Sequence, residues 1–339
     1  MNRIETRINN RRYLGNKYRL LPFIRGVVAD NCQNVNIVAD IFAGTGAVSL
    51  AFVDKQLITN DIMYSNYICH EAWFGSGVAS QEKVMAIVDE YNRRCITESN
   101  YMTDNFSGTY FSFEDCSKIG FVRQDIEDRF GRGDITHREK ALLITSLLYA
   151  MDKIANTCGH YDAYRKEGTF SQPIFLPTPV LDVETHENNK CFNLDANALI
   201  KEVSADLVYI DPPYNSRQYS DTYHLLENVA TWKMPDVYGV ARKMDRSHIK
   251  SDYCTTKATD AFSDLVSSID SRYILLSYNN MAKKGNGRSN AKISDSDIMR
   301  ILEAKGEVQV FATNHKAFSA GKSNRDDNEE RLFLCECFK

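Results

Sequence analysis

The sequence has no apolar run that approaches the roughly 20 residues a helix needs to cross a bilayer, so no membrane-spanning segment is expected. None of its nine cysteines forms a C-x-x-C pair, which leaves little support for a zinc site. The chain shows no signal-peptide pattern, and together with free thiols this predicts a location in the reducing cytoplasm. A formal net charge of −4 excludes an overall basic excess, but basic residues can still be concentrated on one face.

Two nucleotide-phosphate signatures are also absent. The turn Gly44-Thr45-Gly46 follows a predicted strand that runs into Asp40, but Ser49 stands where the G-x-G-x-x-G dinucleotide fingerprint has its third glycine or an alanine. No Walker lysine follows the turn either. A strand, a Gly-x-Gly turn and a helix still let the backbone pass close to a ligand. We therefore expect a nucleoside ligand without a pyrophosphate.

A buried strand is predicted over residues 205–210, and it delivers Asp211 to its carboxyl end. The strand must stop there because Pro212 and Pro213 have no N–H to give to a sheet. Ligands of open α/β sheets bind at this edge. Asp211 and the carbonyl of Pro212 can only accept hydrogen bonds, and Tyr214 offers a flat ring. The set suits an exocyclic amine on a planar heterocycle; the simpler alternative is a strand end with a Pro-Pro turn.

A second strand is predicted to end at Asp61, fifteen positions after Gly46. An acid at the end of the strand that follows a glycine turn is placed to accept from both hydroxyls of a ribose. The alternative role for Asp61 is to cap the helix that begins at Ile62, and the two roles are compatible.

Periodicity predicts an α/β fold of seven strands that are mostly joined by helices. The strands fall in residues 1–75 and 190–339, with 308–313 and 330–338 as a predicted antiparallel hairpin. Between them, in residues 76–189, polar and helical segments alternate. We expect this stretch to be an inserted, mostly helical module.

Two helices carry clear boundary signals. One is predicted over residues 136–157, where Thr136 can cap the helix and Glu139 can reach back to it. The other is predicted over residues 296–305, with Gly306 as its stop.

The D-x-F-x-G-x-G pattern of residues 40–46 and the D-P-P-Y of residues 211–214 resemble the S-adenosylmethionine-dependent amino-methyltransferases of DNA. Residues 12–17 look like the N-terminal cofactor motif of that family, and the order of motifs with an insertion before D-P-P-Y is that of the Dam-like group (D12 class, alpha group). Residues 156–166 and 211–232, with 215–219 directly after D-P-P-Y, look closest to modification methylases of the FokI type. The resemblance implies a Rossmann-like class I methyltransferase fold with a seven-stranded mixed sheet, a catalytic domain in 1–75 and 190–339, and a target-recognition domain in 76–189.

The resemblance also implies a cofactor, S-adenosylmethionine, and a role for each residue that matches a motif. Tyr13 and Lys17 would line its methionine end, and Asp61 would hold the ribose. Asp195, at the end of the third predicted strand, matches the place where the adenine is held. The full set of implied cofactor residues is Tyr13, Lys17, Asp40, Phe42, Gly44, Gly46, Asp61, Asp195 and Asp211.

The implied reaction moves a methyl group to N6 of an adenine that is flipped out of duplex DNA. Asp211 and the Pro212 carbonyl would bind the amine, while Pro213 completes the motif and Tyr214 stacks on the base. The chain would be the modification enzyme of a restriction–modification system, whose endonuclease would act without forming a stable complex with it. The alternatives are a cytosine-N4 DNA methyltransferase, which Asp rather than Ser before Pro-Pro disfavours, or a catalytically idle DNA-binding specificity protein.

The loop of residues 156–166 is dense in hydrogen-bonding and aromatic side chains. Asn156, His160, Tyr161 and Arg165 are candidates for reading bases, because Asn and Arg can make bidentate pairs with adenine and guanine. An equally good interpretation is a structural corner between a helix and a loop.

Several basic segments are candidates for contacts with DNA phosphates, which would give affinity without sequence information. They include residues 242–250 and 283–292, and Lys322 and Arg325 in the predicted loop between the last two strands. For any one of these residues, a solvated surface charge is the simpler interpretation.

Overall fold

The computed structural model describes residues 4–8, 11, 13–170, 172–181, 185–279, 291–314 and 329–338. A large mixed sheet forms the centre of the molecule, and a small sheet joins the N-terminal strand to a short strand near the end of residues 76–189. In chain order the strands are β1 Glu5–Thr6, β2 Ile37–Asp40, β3 Gln56–Asn60, β4 Thr178–Pro179, β5 Lys190–Phe192, β6 Ser204–Ile210, β7 Asp270–Asn279, β8 Gly306–Asn314 and β9 Glu329–Cys337.

Helices cover both faces of the large sheet. In chain order they are α1 Leu21–Asn31, α2 Ala47–Leu50, α3 Tyr64–Phe74, α4 Gln81–Arg93, α5 Tyr101–Phe106, α6 Phe113–Gly131, α7 His137–Ile154, α8 Ala196–Leu199, α9 Tyr219–Thr222, α10 His224–Thr231, α11 Ala258–Ser268 and α12 Asp295–Glu303. Within the described residues, none of these helices combines the length and the apolar character that a bilayer span needs.

The large sheet has the strand order β5-β3-β2-β6-β7-β9-β8. Its first five strands are parallel, and β9 runs antiparallel to both β7 and β8. This confirms the predicted seven-stranded mixed sheet of a Rossmann-like methyltransferase and the predicted hairpin of the last two strands. The chain order reverses between β2 and β6, and such a switch point leaves a crevice at the carboxyl ends of the strands.

The sequence of β6 explains why the sheet is buried on both sides. Side chains alternate between the two faces of a strand. Leu207 and Tyr209 belong to the apolar cluster that also contains α3, α7 and α10, whereas Val208 and Ile210 belong to the cluster of α8, α11 and α12. Because both faces of β6 are buried, its sequence is apolar at consecutive positions. This apolar run ends where Asp211 reaches the crevice.

The helix predicted around residues 136–157 is confirmed as α7. The Thr136 hydroxyl accepts the Glu139 backbone N–H at 3.2 Å, and the Glu139 carboxylate accepts the Thr136 N–H at 2.8 Å, which is a complete capping box. Glu139 also accepts the N–H of Ser80, at 2.9 Å. The cap therefore joins α7 to the start of α4.

Two predicted boundaries are wrong. The helix α12 ends at Glu303, and Gly306 is instead the first residue of β8, where a Cβ atom would clash with the backbone of Glu336 on β9. The third strand of the large sheet in chain order, β5, ends at Phe192, so Asp195 does not end it. The carboxylate of Asp195 accepts the N–H groups of Asn197 and Ala198 and caps α8.

The helices of residues 76–189 pack directly on the remainder of the chain. The helix α7 lies against α3 and α10, and its buried side chains share one apolar cluster with theirs. The buried Arg123 of α6 donates to the carbonyls of Val229 and Ala230, at 2.7 and 2.9 Å, and so stabilises the end of α10. The division of the chain into a catalytic and a target-recognition domain stays a prediction.

Candidate active site

One cavity lies at the crevice where β2, β3 and β6 end. It has a volume of about 960 Å³, including space open to solvent, and is lined by these strand ends, residues 13–17 and the start of α9. A concave site at the carboxyl ends of the strands is where ligands of open α/β sheets bind.

The glycine turn after β2 forms one wall of this cavity. Gly44 and Gly46 have φ values of 54° and 78°, in the left-handed region that favours glycine. The Nε2 atom of the buried His70 lies 2.9 Å from the Gly44 carbonyl oxygen. Burial lowers the pKa of His70 to about 4, so the ring is neutral and must donate through Nε2–H. A histidine of α3 thus holds the turn in place, and no signal in the sequence distinguished it from an ordinary core residue.

Two carboxylates stand at the ends of β2 and β3. Asp40 is 1% exposed, and its Oδ2 atom accepts the Ser49 hydroxyl at 2.8 Å, while Oδ1 has no partner among the described residues. Burial raises the pKa of Asp40 to about 7. Asp61 accepts the N–H groups of Gly44 at 3.0 Å and Met63 at 2.8 Å, and burial raises its pKa to about 6. Asp61 therefore supports the turn before α3 and also ties it to the glycine turn.

The carboxylate of Asp211 meets a lysine from the N-terminal segment. The Lys17 Nζ atom lies 3.0 Å from Asp211 Oδ1, and their side chains are only 7% and 18% exposed. Burial raises the pKa of Asp211 to about 6, and the nearby ammonium limits that rise. Burial alone would lower the pKa of Lys17, but the carboxylate outweighs it and the pKa is raised.

Three tyrosine rings dock this N-terminal segment onto the helices that follow Asp211. Tyr13 stacks on Tyr219 and Tyr223, with ring centroids 5.2 and 4.6 Å apart. Tyr223 accepts the Leu14 N–H at 2.8 Å, and Tyr219 donates to the Leu14 carbonyl at 3.2 Å. The stack fixes the path of the segment that carries Lys17. The sequence did not reveal it, because its members are about 200 positions apart.

A family model for D12 class N6 adenine-specific DNA methyltransferases matches residues 13–285. The chain belongs to this family. It is 30% identical to modification methylase LlaI of Lactococcus lactis subsp. lactis and 31% identical to type II methyltransferase M.FokI of Planomicrobium okeanokoites, each over 95% of this chain. The chain spans about half the length of these two relatives, 53% and 51%. It also covers 96% of type II methyltransferase M.NlaIII of Neisseria lactamica, at 30% identity over 95% of this chain.

In this D12 class chain the residues predicted for catalysis and for the cofactor come together. Those that line the cavity are Tyr13, Lys17, Asp40, Phe42, Gly44, Asp61, Asp195, Asp211, Pro212, Pro213 and Tyr214. Gly46 lies beneath them, where a Cβ atom would be 2.7 Å from the ring of Phe74. Tyr214 is held by an edge-on contact with Tyr278, and its carbonyl accepts the Lys292 N–H at 2.8 Å.

In the loop predicted to read bases, only some of the four predicted side chains are accessible to a ligand. Asn156 donates its amide hydrogens to the carbonyls of Thr109 and Arg165, both at 2.9 Å, and Tyr161 is 2% exposed and donates to Asp152. For Asn156 and Tyr161 the structural-corner interpretation is the better one. His160 is half-buried and the side chain of Arg165 is exposed. The other two predicted DNA residues, Lys322 and Arg325, lie outside the described residues.

Proposed function

We propose that the chain transfers the methyl group of S-adenosylmethionine to N6 of an adenine flipped out of duplex DNA. The observation that carries this proposal is the single cavity that joins the glycine turn after β2 to Asp211 at the end of β6. The turn proposed to bind the cofactor is thus adjacent to the carboxylate proposed to accept from the amine. The family description and the modification methylases among the relatives support the substrate.

The donors and acceptors of the cavity fit the cofactor. Asp40 is a buried carboxylate with an unpartnered oxygen, so a cationic or N–H-donating group such as the cofactor's ammonium would satisfy it. Asp61 accepts one backbone N–H on each oxygen and interacts with the Asn66 side chain, and its two oxygens have about four acceptor sites, which leaves capacity for a ribose hydroxyl. The proposed cofactor residues are Tyr13, Lys17, Asp40, Phe42, Gly44, Gly46, Asp61, Asp195 and Asp211. The cofactor supplies an activated sulfonium methyl group.

The chemistry left to the protein is positioning and charge stabilisation. The lone pair of an adenine N6 amine is delocalised into the ring. Two acceptors on its N–H bonds, Asp211 and the Pro212 carbonyl, favour tetrahedral geometry and return electron density to nitrogen. Lys17 holds Asp211 Oδ1, which leaves Oδ2 for the amine. The carboxylate then stabilises the positive charge that develops on nitrogen, and Tyr214 replaces the stacking that the flipped base loses.

The proposed DNA substrate also implies roles for residues outside the cavity. Residues 76–189 serve as the target-recognition domain, with His160 and Arg165 as base-reading candidates and Lys322 and Arg325 as phosphate contacts. The chain acts in the cytoplasm as the modification enzyme of a restriction–modification system. A cognate endonuclease recognises the same site without a stable complex.

The proposal is tested by incubating the purified chain with S-adenosylmethionine and plasmid, followed by sequencing that detects modified bases. We expect N6-methyladenine at one short sequence. Modified cytosine would favour the cytosine-N4 alternative. Cofactor binding and DNA binding without any transfer would favour an idle specificity protein.

Replacing Gly46 with alanine should weaken cofactor binding about tenfold. The left-handed φ costs a residue with a Cβ atom roughly 1–2 kcal/mol, and that atom would press on Phe74. Titration calorimetry with S-adenosylmethionine measures the change. Gly26→Ala is the matched control, because a Cβ atom at Gly26 meets nothing within 4 Å. Equal affinities of the two variants would contradict the role of the turn.

Replacing Tyr214 with alanine should lower turnover on duplex DNA roughly tenfold, because base–aromatic stacking contributes about 1–3 kcal/mol per base. Tyr214→Phe keeps the ring and should retain most of the rate. A mismatch opposite the target adenine should partly rescue Tyr214→Ala, since the base is then easier to extrude. Single-turnover rates on paired and mismatched duplexes measure this, and identical losses on both would argue against stacking.

A further inference from the structure

A short hairpin stands out from the connection between α10 and α11. Tyr238 and Lys243 exchange two backbone hydrogen bonds, of 2.8 and 2.9 Å, and the Arg242 N–H donates to the Gly239 carbonyl at 3.2 Å across the turn. We call this element the 238–243 hairpin. It follows the D-P-P-Y motif and lies outside the insertion of residues 76–189.

The tip of the 238–243 hairpin presents apolar side chains to solvent. Tyr238 is 65% exposed and Val240 is 75% exposed, although both are large enough to gain from burial. The residues that flank the hairpin behave differently, because Met244 is buried and Val237 packs against the main apolar cluster. Exposed apolar side chains on an element whose base is fixed are typical of a binding surface.

Three contacts fix the hairpin to the helical insertion. Lys243 Nζ lies 2.8 Å from Asp162, in the loop after α7. The Tyr110 hydroxyl lies 3.0 Å from the Ala241 carbonyl oxygen and 2.7 Å from that of Tyr161, so its one proton is shared between them. Just before the hairpin, the Tyr101 hydroxyl donates to the Pro235 carbonyl at 2.7 Å. The hairpin is therefore held rigidly while its tip remains uncovered.

Backbone strain is concentrated in the same segment. Four residues other than glycine have positive φ in the part of the chain that the structure describes. Three of them, Trp232 at 51°, Met234 at 49° and Arg242 at 51°, lie at or just before the hairpin. Such strain persists where the surrounding structure enforces it, and it clusters at functional sites.

The chain leads from the hairpin directly to the mouth of the cavity. Ile249 and Ser251 line the cavity, and Ser251 exchanges two hydrogen bonds with Gln218, of 2.9 and 3.0 Å. The exposed Arg217 lies near enough to act electrostatically on both Tyr214 and Asp162, the partner of Lys243. The segment that follows the hairpin therefore reaches the cavity that contains Asp211.

The positive charge of residues 233–250 is suited to binding a polyanion. Residues 233–250 contain five Lys or Arg residues and two Asp residues, in a chain whose net charge is −4. Two of the five, Lys243 and Arg246, form ion pairs with Asp162 and Asp221, so the charge offered to a ligand comes from Lys233, Arg242 and Lys250. Arg242, at the tip, has an exposed side chain. Basic residues concentrated on one face are the electrostatic feature expected of a DNA contact.

We propose that the 238–243 hairpin enters the DNA beside the target adenine, with Tyr238 and Val240 as an apolar wedge in the base stack. The major groove is wide enough for a two-stranded ribbon and so admits this narrower turn, which a single bridged pair closes. Apolar wedges between base steps are a known means of unstacking DNA. Arg242 contacts the flanking phosphates. This inference rests on the proposed function, because it needs DNA as the substrate and a base that leaves the stack.

The test compares the double variant Tyr238→Ser/Val240→Ser with the wild-type chain on two short duplexes that carry the site mapped on plasmid. In one duplex the target adenine is paired, and in the other it stands opposite an abasic position. The control variants are Val310→Ser and Phe338→Ser, whose side chains are 48% and 64% exposed elsewhere on the surface. Cofactor affinity and the melting temperature establish that each variant is folded.

The double variant should lose about tenfold or more in kcat/KM on the paired duplex and much less opposite the abasic position, because that base needs no wedge to leave the stack. Both controls should match the wild type on both duplexes. Equal losses on the two duplexes, or no loss, would overturn the wedge while leaving the proposed function intact. Failure of the wild-type chain to methylate any DNA would overturn both.

Discussion

Replacing Asp211 with alanine should lower methyl transfer to DNA by about a thousandfold or more and leave S-adenosylmethionine binding measurable. Removing one preorganised group that stabilises developing charge costs roughly a hundred- to thousandfold in rate, and Asp211 is also the proposed orienting acceptor of the amine. The glycine turn and Asp40, which carry much of the proposed cofactor contact, are untouched by this change. Transfer of a tritiated methyl group to plasmid and calorimetric titration with the cofactor measure the two quantities.

A matched pair of variants separates catalysis from stability. Asp211→Ala leaves the ammonium of Lys17, which is 6% exposed, without its carboxylate partner, and a buried unpaired charge costs about 3–5 kcal/mol. The double variant Asp211→Ala/Lys17→Met removes that charge and should recover most of the melting temperature without recovering transfer. If activity returned together with stability, Asp211 would be a structural residue and not the acceptor.

Replacing Lys17 with methionine should move the acidic limb of the pH–rate profile to higher pH. The ammonium of Lys17 limits the rise that burial causes in the pKa of Asp211, which is about 6. Without the ammonium the pKa rises further, so the accepting carboxylate forms only at higher pH. An opposite charge at this range typically lowers a carboxyl pKa by about 1–3 units. At pH values below the acidic limb of the wild-type profile, we therefore expect Lys17→Met to lose roughly ten- to a thousandfold in kcat/KM.

Lys17→Arg is the control, because it keeps the positive charge and should leave the limb close to its wild-type position. The profile of kcat/KM for DNA is measured at saturating cofactor, which isolates the effect on Asp211 from any effect on cofactor affinity. A uniform loss at every pH, with the limb unmoved, would show that Lys17 serves the cofactor only and does not set the ionisation of Asp211.

The strand end that carries Asp211 was predictable from sequence, because the residues that define it are adjacent in the chain. Pro212 and Pro213 end β6 because proline has no backbone N–H to donate to the sheet. The position of Asp211 at a strand end therefore follows from three adjacent residues. The glycine turn is similar, since Gly44 and Gly46 have the positive φ values that glycine tolerates best. A fold assembled from such strand ends brings Asp40, Asp61 and Asp211 to one crevice without further information.

Residues whose role depends on distant partners were not predictable in this way. His70 looks like any core histidine of α3 until the Gly44 carbonyl is placed beside it. The stack of Tyr13 on Tyr219 and Tyr223 requires knowledge of how the two ends of the catalytic region pack. No spacing within the sequence encodes either contact.

The wrong boundaries arose from ambiguous local signals. A glycine shortly after a helix is typical of a helix stop, but Gly306 is needed for the close approach of β8 to β9. An acid after a short strand can end the strand or cap the next helix, and Asp195 does the second.

The surface proposed to contact DNA shows a similar difference between what composition predicts and which side chains are exposed. Residues 156–166 have the composition of a reading loop, yet Asn156 and Tyr161 are engaged within the protein. The 238–243 hairpin contains ordinary residues, and it is distinguished only in the folded chain, where exposed Tyr238 and Val240 lie beside Arg242 and a cluster of positive φ values.

The central claim is that Asp211 at the end of β6 directs a methyl group to adenine N6. The most direct measurement is mass spectrometry of nucleosides from plasmid treated with the purified chain and S-adenosylmethionine carrying a deuterated methyl group. We predict labelled N6-methyldeoxyadenosine with the wild-type chain and none above background with Asp211→Ala. Label on cytosine, no label from a chain that binds the cofactor, or equal labelling by Asp211→Ala would contradict the account.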